Sequence, residues 1–156
     1  MMIRRLFLAL ILAFVAVAAF AQAPVKLTDG TNVTVIDPCQ GQTKVFISFN
    51  QTANTKIVTG TSSKKIYVCS ISIVTATAQN IAVVEGTGSV CATGTAGVQG
   101  FGGATAATGY NFAANGGIAQ GNGAAAIGAE GTVTDDFCLF QSGSGQISGG
   151  MSYVVQ

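Results

Sequence analysis

The chain has 156 residues, enough for one domain, and only 8% of them are charged against 49% hydrophobic. Histidine is absent, which removes the commonest general base and metal ligand and excludes Ser-His-Asp and Cys-His chemistry. The formal charge is +1, and without Arg4 and Arg5 five lysines face six acids, so no clustered basic surface for nucleic acid is present.

Residues 1–21 have the three parts of a secretory signal peptide: Arg4-Arg5, an apolar run over 6–18, and Ala19-Phe20-Ala21 as a cleavage site before Gln22. The chain is therefore predicted to be exported, to periplasm, cell surface or medium. No other segment is long and apolar enough to span a bilayer, so no membrane contact is expected apart from the leader. Residues 22–36 read as an N-terminal arm ending in a short strand over 32–36, and 37–156 as the folded domain. Asp37-Pro38-Cys39-Gln40-Gly41 reads as a loop by its Pro and Gly. Strands follow over 43–50, with Val45, Ile47 and Phe49 on one face, and over 56–59.

The strongest strand signal lies over 64–74, Lys-Lys-Ile-Tyr-Val-Cys-Ser-Ile-Ser-Ile-Val, which is β-branched and free of Gly and Pro. Strict alternation puts Tyr67, Cys69, Ile71 and Ile73 on one face, predicted to be the core face because it is bulkier. Ile66, Val68, Ser70, Ser72 and Val74 fall on the other. A turn over 75–78 leads to a strand over 79–85.

From Gly86 the composition changes, and 14 of the 21 glycines lie between Gly86 and Gly131. The stretch is too apolar for a solvated linker and too Gly-rich for a helix. Short strands are predicted near 110–113 and 117–119, joined by long loops, with room for one helical turn over 124–129. The chain closes with strands over 136–141 and 146–155 joined by Ser142-Gly143-Ser144-Gly145, a pair that reads as a hairpin. Short strands at regular spacing without βαβ alternation predict an all-β antiparallel sandwich or barrel.

Four cysteines, Cys39, Cys69, Cys91 and Cys138, allow three pairings. Their separations of 30, 22 and 47 residues lack the close pairs of a zinc site. The favoured pairing is Cys39–Cys69, stapling the early loop to the strongest strand, with Cys91–Cys138 pinning the Gly-rich half to the last strands. The acids Glu85, Asp135 and Asp136 could only serve a glycosidase as a facing pair, and adjacent Asp135 and Asp136 point apart in a strand. Asp135 and Asp136 read as a solvated loop before a strand, and Glu85 would need a distant partner. Gly121-Asn122-Gly123 matches a relaxed dinucleotide pattern but has no βα setting. No cofactor and no metal is therefore expected. Tyr110 and Phe112, in the Gly-rich half, are the candidate ligand surface.

Three stretches carry a resemblance: residues 65–71 (Lys-Ile-Tyr-Val-Cys-Ser-Ile), 84–95 around Cys91, and 137–149 around Cys138. Over about 37–156 the chain resembles small jelly-roll-like β-sandwich modules of tailed phages, prophages and secreted bacterial proteins. The resemblance implies a virion or surface role and no catalytic residues. The sequence thus leads to a non-enzymatic exported structural or attachment protein, phage-derived or on the cell surface, assembling with itself as a homo-oligomer such as a trimer or larger ring. The alternative is a secreted monomeric module binding a surface glycan through the Gly-rich loops.

Overall fold

A computed structural model describes residues 37–156 and two short strands before them, β1 (Leu27–Thr28) and β2 (Thr34–Val35), which pair antiparallel. The chain divides into two units, 1–36 and 37–156. The leader, its cleavage site and the rest of the arm lie outside the described residues.

The second unit begins with a single helical turn, α1 (Pro38–Gly41), where the sequence predicted a loop. Asp37 caps it by accepting the Cys39 N–H at 2.8 Å, and Pro38 stands at the first helical position, where its missing N–H costs nothing. Ten strands follow: β3 (Val45–Gln51), β4 (Thr55–Val58), β5 (Ile66–Thr75), β6 (Gln79–Thr87), β7 (Thr93–Gly97), β8 (Tyr110–Phe112), β9 (Gly117–Gln120), β10 (Gly128–Ala129), β11 (Asp136–Gln141) and β12 (Ile147–Val155). Residues 124–129 form no helix and end in β10.

The strands build two five-stranded antiparallel sheets. The first runs β3-β12-β5, and β5 then pairs with β9 along one half and β10 along the other. The second runs β4-β11-β6, and β6 then pairs with β7 and β8. When β7 and β8 share one strand position and β9 and β10 another, eight positions remain. Their order is first, eighth, third, sixth in one sheet and second, seventh, fourth, fifth in the other. This is the double Greek key of a jelly roll. The final two strands are therefore not a hairpin. Each takes two neighbours inside a different sheet: β11, apolar on both faces, lies between β4 and β6, β12 lies between β3 and β5, and Ser142–Gly145 crosses between sheets.

Between the sheets lies one main core, with Ile66, Val68, Ile73, Ile81, Phe137, Leu139 and Ile147 all but sealed from solvent. Each such side chain contributes about 1.5–3 kcal/mol by leaving water. Ile66 and Val68 face inward together with Ile71 and Ile73, which simple alternation forbids. The explanation is a β-bulge: Ser152 pairs with Ser70 but Tyr153 pairs with Val68, so Cys69 is an extra residue. The bulge reverses the strand's phase, and Tyr67 and Cys69 leave the core face where the sequence had put them.

Both predicted disulfides are present, with Cα separations of 5.6 Å for Cys39–Cys69 and 6.2 Å for Cys91–Cys138. Each lies on the outward side of its own sheet. Cys39–Cys69 packs with Val154 and Ala126, and Cys91–Cys138 with Ala82 and Val84. The first ties α1 down on β5, and the Asp37 carboxylate reinforces it by accepting the Ala126 N–H at 3.0 Å. The second anchors the start of the Gly-rich stretch to the central strand β11. Two such crosslinks mark an oxidising, exported environment.

Candidate binding surface

The outward face of the first sheet follows directly from strand register. One row across the sheet is Phe46–Ser152–Ser70, and the next is Ser48–Gly150–Ser72–Ala119. A third is Asn50–Ser148–Val74–Gly117. No residue in these rows is charged, and most are small. The result is an open trough of about 380 Å³ floored by serines and glycine. Within it the Ser70 and Ser152 hydroxyls share a hydrogen bond of 2.6 Å. Phe46 stands at its rim and is 76% exposed, the most exposed large apolar side chain among the described residues. An exposed ring beside hydroxyl donors and acceptors offers stacking and hydrogen bonding to an uncharged, polyhydroxylated ligand.

The aromatic pair read from the sequence lies elsewhere and points the other way. Tyr110 and Phe112 are two apart on β8, so both face the main core. Phe112 is buried, and the two rings stack with centroids 5.9 Å apart. The Tyr110 hydroxyl sits 3.3 Å from the Gln120 amide oxygen on β9. Phe112 is thus taken up in packing between the two sheets, and Tyr110 lies half-buried against the same core. Phe46 was legible in the sequence only as the residue out of phase with Val45, Ile47 and Phe49.

Four of the six acids are buried, Glu85, Glu130, Asp135 and Asp136, so Asp135 and Asp136 do not form the solvated loop expected of them. Glu85 on β6 accepts the Gly131 N–H at 2.9 Å and the Thr132 N–H at 3.2 Å. Glu130, next to β10, accepts the Ile66 N–H at 2.8 Å through Oε2, while its Oε1 has no partner among the described residues. Asp136 accepts the Gly60 N–H at 2.8 Å and pairs with Lys56 at 2.5 Å. Burial pushes the Glu130 carboxyl up to about 8, and the carboxylates of Glu85, Asp135 and Asp136 push the same way against the Ile66 N–H. Burial, then Glu85 and Asp136, raise Asp135. For Asp136 burial acts upward but is outweighed by Lys56 and the Gly60 N–H, which hold it below its ordinary value.

Glu85, Glu130 and Asp136 serve as fasteners that tie the 130–136 segment to β6 and to the backbone at Gly60 and Ile66. Glu85 and Glu130 are only 2% and 1% exposed, so they present no face to a substrate. Among the described residues no group of His, Cys, Asp and Glu is arranged to hold a metal ion. The Gly121-Asn122-Gly123 stretch is a turn after β9, with the Asn122 side chain accepting the Ala124 N–H at 2.9 Å. It opens no helix and offers no phosphate cradle. Set against known protein families, curated proteins and solved structures, the chain matches none of them.

Proposed function

We propose that the protein is a non-enzymatic structural or attachment component, exported to the cell surface or to a phage-derived particle. The observation that carries this reading is the outward face of the first sheet, open and charge-free over three rows of residues. Such a face lets another protein or a polymer approach closely without the cost of desolvating charge. It is backed by a sandwich crosslinked on both outer sides, a build suited to a fixed scaffold outside the cell. The buried acids support the non-enzymatic part of the reading, because Glu85 and Asp136 commit their oxygens to backbone N–H groups and Lys56. Fractionation of producing cells, with antibody detection of the oxidised chain, tests it. Enrichment with envelope or particles is expected, and recovery as free protein in the medium overturns it.

Phe46 favours a second reading, a monomeric module that binds a surface glycan in the serine-floored trough. The two readings part on a glycan screen. Saturable binding that Phe46→Ala abolishes and Tyr110→Ala leaves intact selects the glycan module.

A further inference from the structure

A β-sheet edge exposes unpaired N–H and C=O groups, and natural sandwiches block it with charge, proline, bulges or brevity. Three edges of this sandwich are blocked. On the first sheet, β9 and β10 are short and separated by the turn that begins at Gly121. On the second, β7 and β8 are likewise broken into short pieces, and β4 has only four residues and carries Lys56. The fourth edge, β3, has no such device. It is seven residues long, Val-Phe-Ile-Ser-Phe-Asn-Gln, without charge or proline. Among the described residues it hydrogen-bonds along one side only, to β12.

A second observation points to an occupant. Between the β3 and β4 edges runs a groove of about 250 Å³, and Gln51 lines its end. Gln51 is 7% exposed, yet neither its amide nitrogen nor its amide oxygen has a hydrogen-bond partner among the described residues. A buried amide left with both atoms unpaired is costly and implies a missing donor and acceptor. The backbone of an added strand supplies one of each. The side chains facing the groove, Ile47 and Phe49, are only half-covered, and Val45 beside them is exposed.

From this geometry we infer that β3 is an association strand whose partner is the β3 of a second copy of this chain. The inference deepens the assembly reading above and rests on it for its purpose. The strand suits itself. It carries no charge to repel its copy, and an antiparallel pair centred on Ser48 aligns all seven residues. In that register Ile47 meets Phe49 of the second copy, covering both. Phe46 lies opposite Asn50, and Gln51 comes beside the backbone at Val45. The two first sheets then join into one continuous sheet about a two-fold axis, an isologous and closed contact.

Ser48 is exposed and lies on the axis, so it meets its own copy and can be charged without disturbing the core. The test uses the oxidised, exported chain in sedimentation equilibrium over a dilution series. A reversible dimer is expected. Ser48→Lys and Ser48→Glu should each weaken it about tenfold or more, since like charges then stand opposite. Mixing the two variants should restore a one-to-one heterodimer. The Gln51 side-chain amide resonances should shift with concentration alongside dimer formation.

A monomer at every concentration overturns the inference, as does a dimer that neither charged variant weakens. A monomer found with envelope or particles overturns the edge pairing and leaves the assembly reading standing. A Ser48-dependent dimer found free in the medium supports the pairing and removes the assembly reading.

Discussion

Glu130 makes the stability of this fold depend on pH in a predictable direction. Its carboxyl is raised from 4.5 to about 8 in the folded chain, first by burial and then by its acidic neighbours. Below about 4.5 the group is protonated whether the chain is folded or not, and it costs nothing. Between 4.5 and 8 the folded chain holds a proton that the unfolded chain has released. Stability therefore falls as pH rises through this window, by up to about 1.4 kcal/mol per pH unit. Above 8 the penalty is constant. Water penetration and relaxation reduce the full shift, leaving a total on the order of 2–4 kcal/mol. Asp135, also raised, adds to the same trend. Asp136, which is lowered, stabilises above its ordinary value and loses that contribution only as pH falls through its depressed one.

Glu130→Gln removes the titration and keeps the shape, since the amide oxygen still accepts the Ile66 N–H. Urea unfolding with disulfides intact, repeated from pH 4 to pH 9, is the assay. The variant and the parent should be of similar stability at pH 4. At pH 9 the variant should be more stable by about 2–4 kcal/mol. The charged groups near this carboxylate are Glu85, Asp135, Asp136 and the Lys65 ammonium, which donates to the Gly131 carbonyl at 2.6 Å. Because none of them is altered, the pH slope lost in Glu130→Gln belongs to Glu130 itself. Parallel pH profiles for the two proteins would refute the reasoning.

Other outcomes follow from the same geometry. Proteolysis without reduction should release two linked peptides, Cys39 with Cys69 and Cys91 with Cys138, and no mixed pair. Replacing either pair by alanine should cost about 2–4 kcal/mol in denaturant unfolding, with the larger loss for Cys91–Cys138 because it closes the longer loop. Gly94 and Gly121 both have positive φ, 68° and 74°, but differ in surroundings. A Cβ at Gly94 meets nothing within 4 Å, whereas at Gly121 it collides with the Cys69 carbonyl. Gly94→Asn should therefore cost less than about 1 kcal/mol, and Gly121→Asn about 2 kcal/mol or more, measured by thermal unfolding. Phe137→Ala, at the centre of the main core, should cost about 3–5 kcal/mol by the same measurement.

The strands most legible in the sequence are those that bury bulky side chains. β11 matches its predicted bounds, and β5, β6 and β12 match to within two residues, because β-branched and aromatic runs there exceed any competing signal. β7 is different. Its residues Thr93 to Gly97 are small and largely exposed, and it is held by backbone pairing to β6, which leaves no trace in side-chain pattern. The closing hairpin failed for another reason. A short Ser-Gly loop fits both a hairpin and a crossing between sheets. The deciding signal was the apolar character of both faces of β11, which demands a central position. The buried acids were illegible because their partners are mostly backbone N–H groups of the 60–66 and 130–132 segments, which no spacing of side chains announces.

The bulge at Cys69 connects the core, the crosslink and the surface, and its sequence signal was present. Apolar residues occupy even positions at Ile66 and Val68 and odd positions at Ile71 and Ile73. A regular strand would send one of those pairs to solvent and bury Ser70 and Ser72 or Tyr67 and Cys69 instead. One inserted residue resolves the conflict, since it lets all four apolar side chains reach the core and turns both serines outward. The same insertion leaves Cys69 on the outer side, where Cys39 can reach it across the sheet from α1. The serine floor of the trough and the first disulfide are thus two consequences of one register shift. Deleting Cys69 should therefore do more than break the crosslink. It should force β5 back to strict alternation and drive either Ser70 and Ser72 or the chain's register with β12 out of place. That loss should exceed the loss from Cys69→Ala, which keeps the inserted residue and sacrifices only the bond.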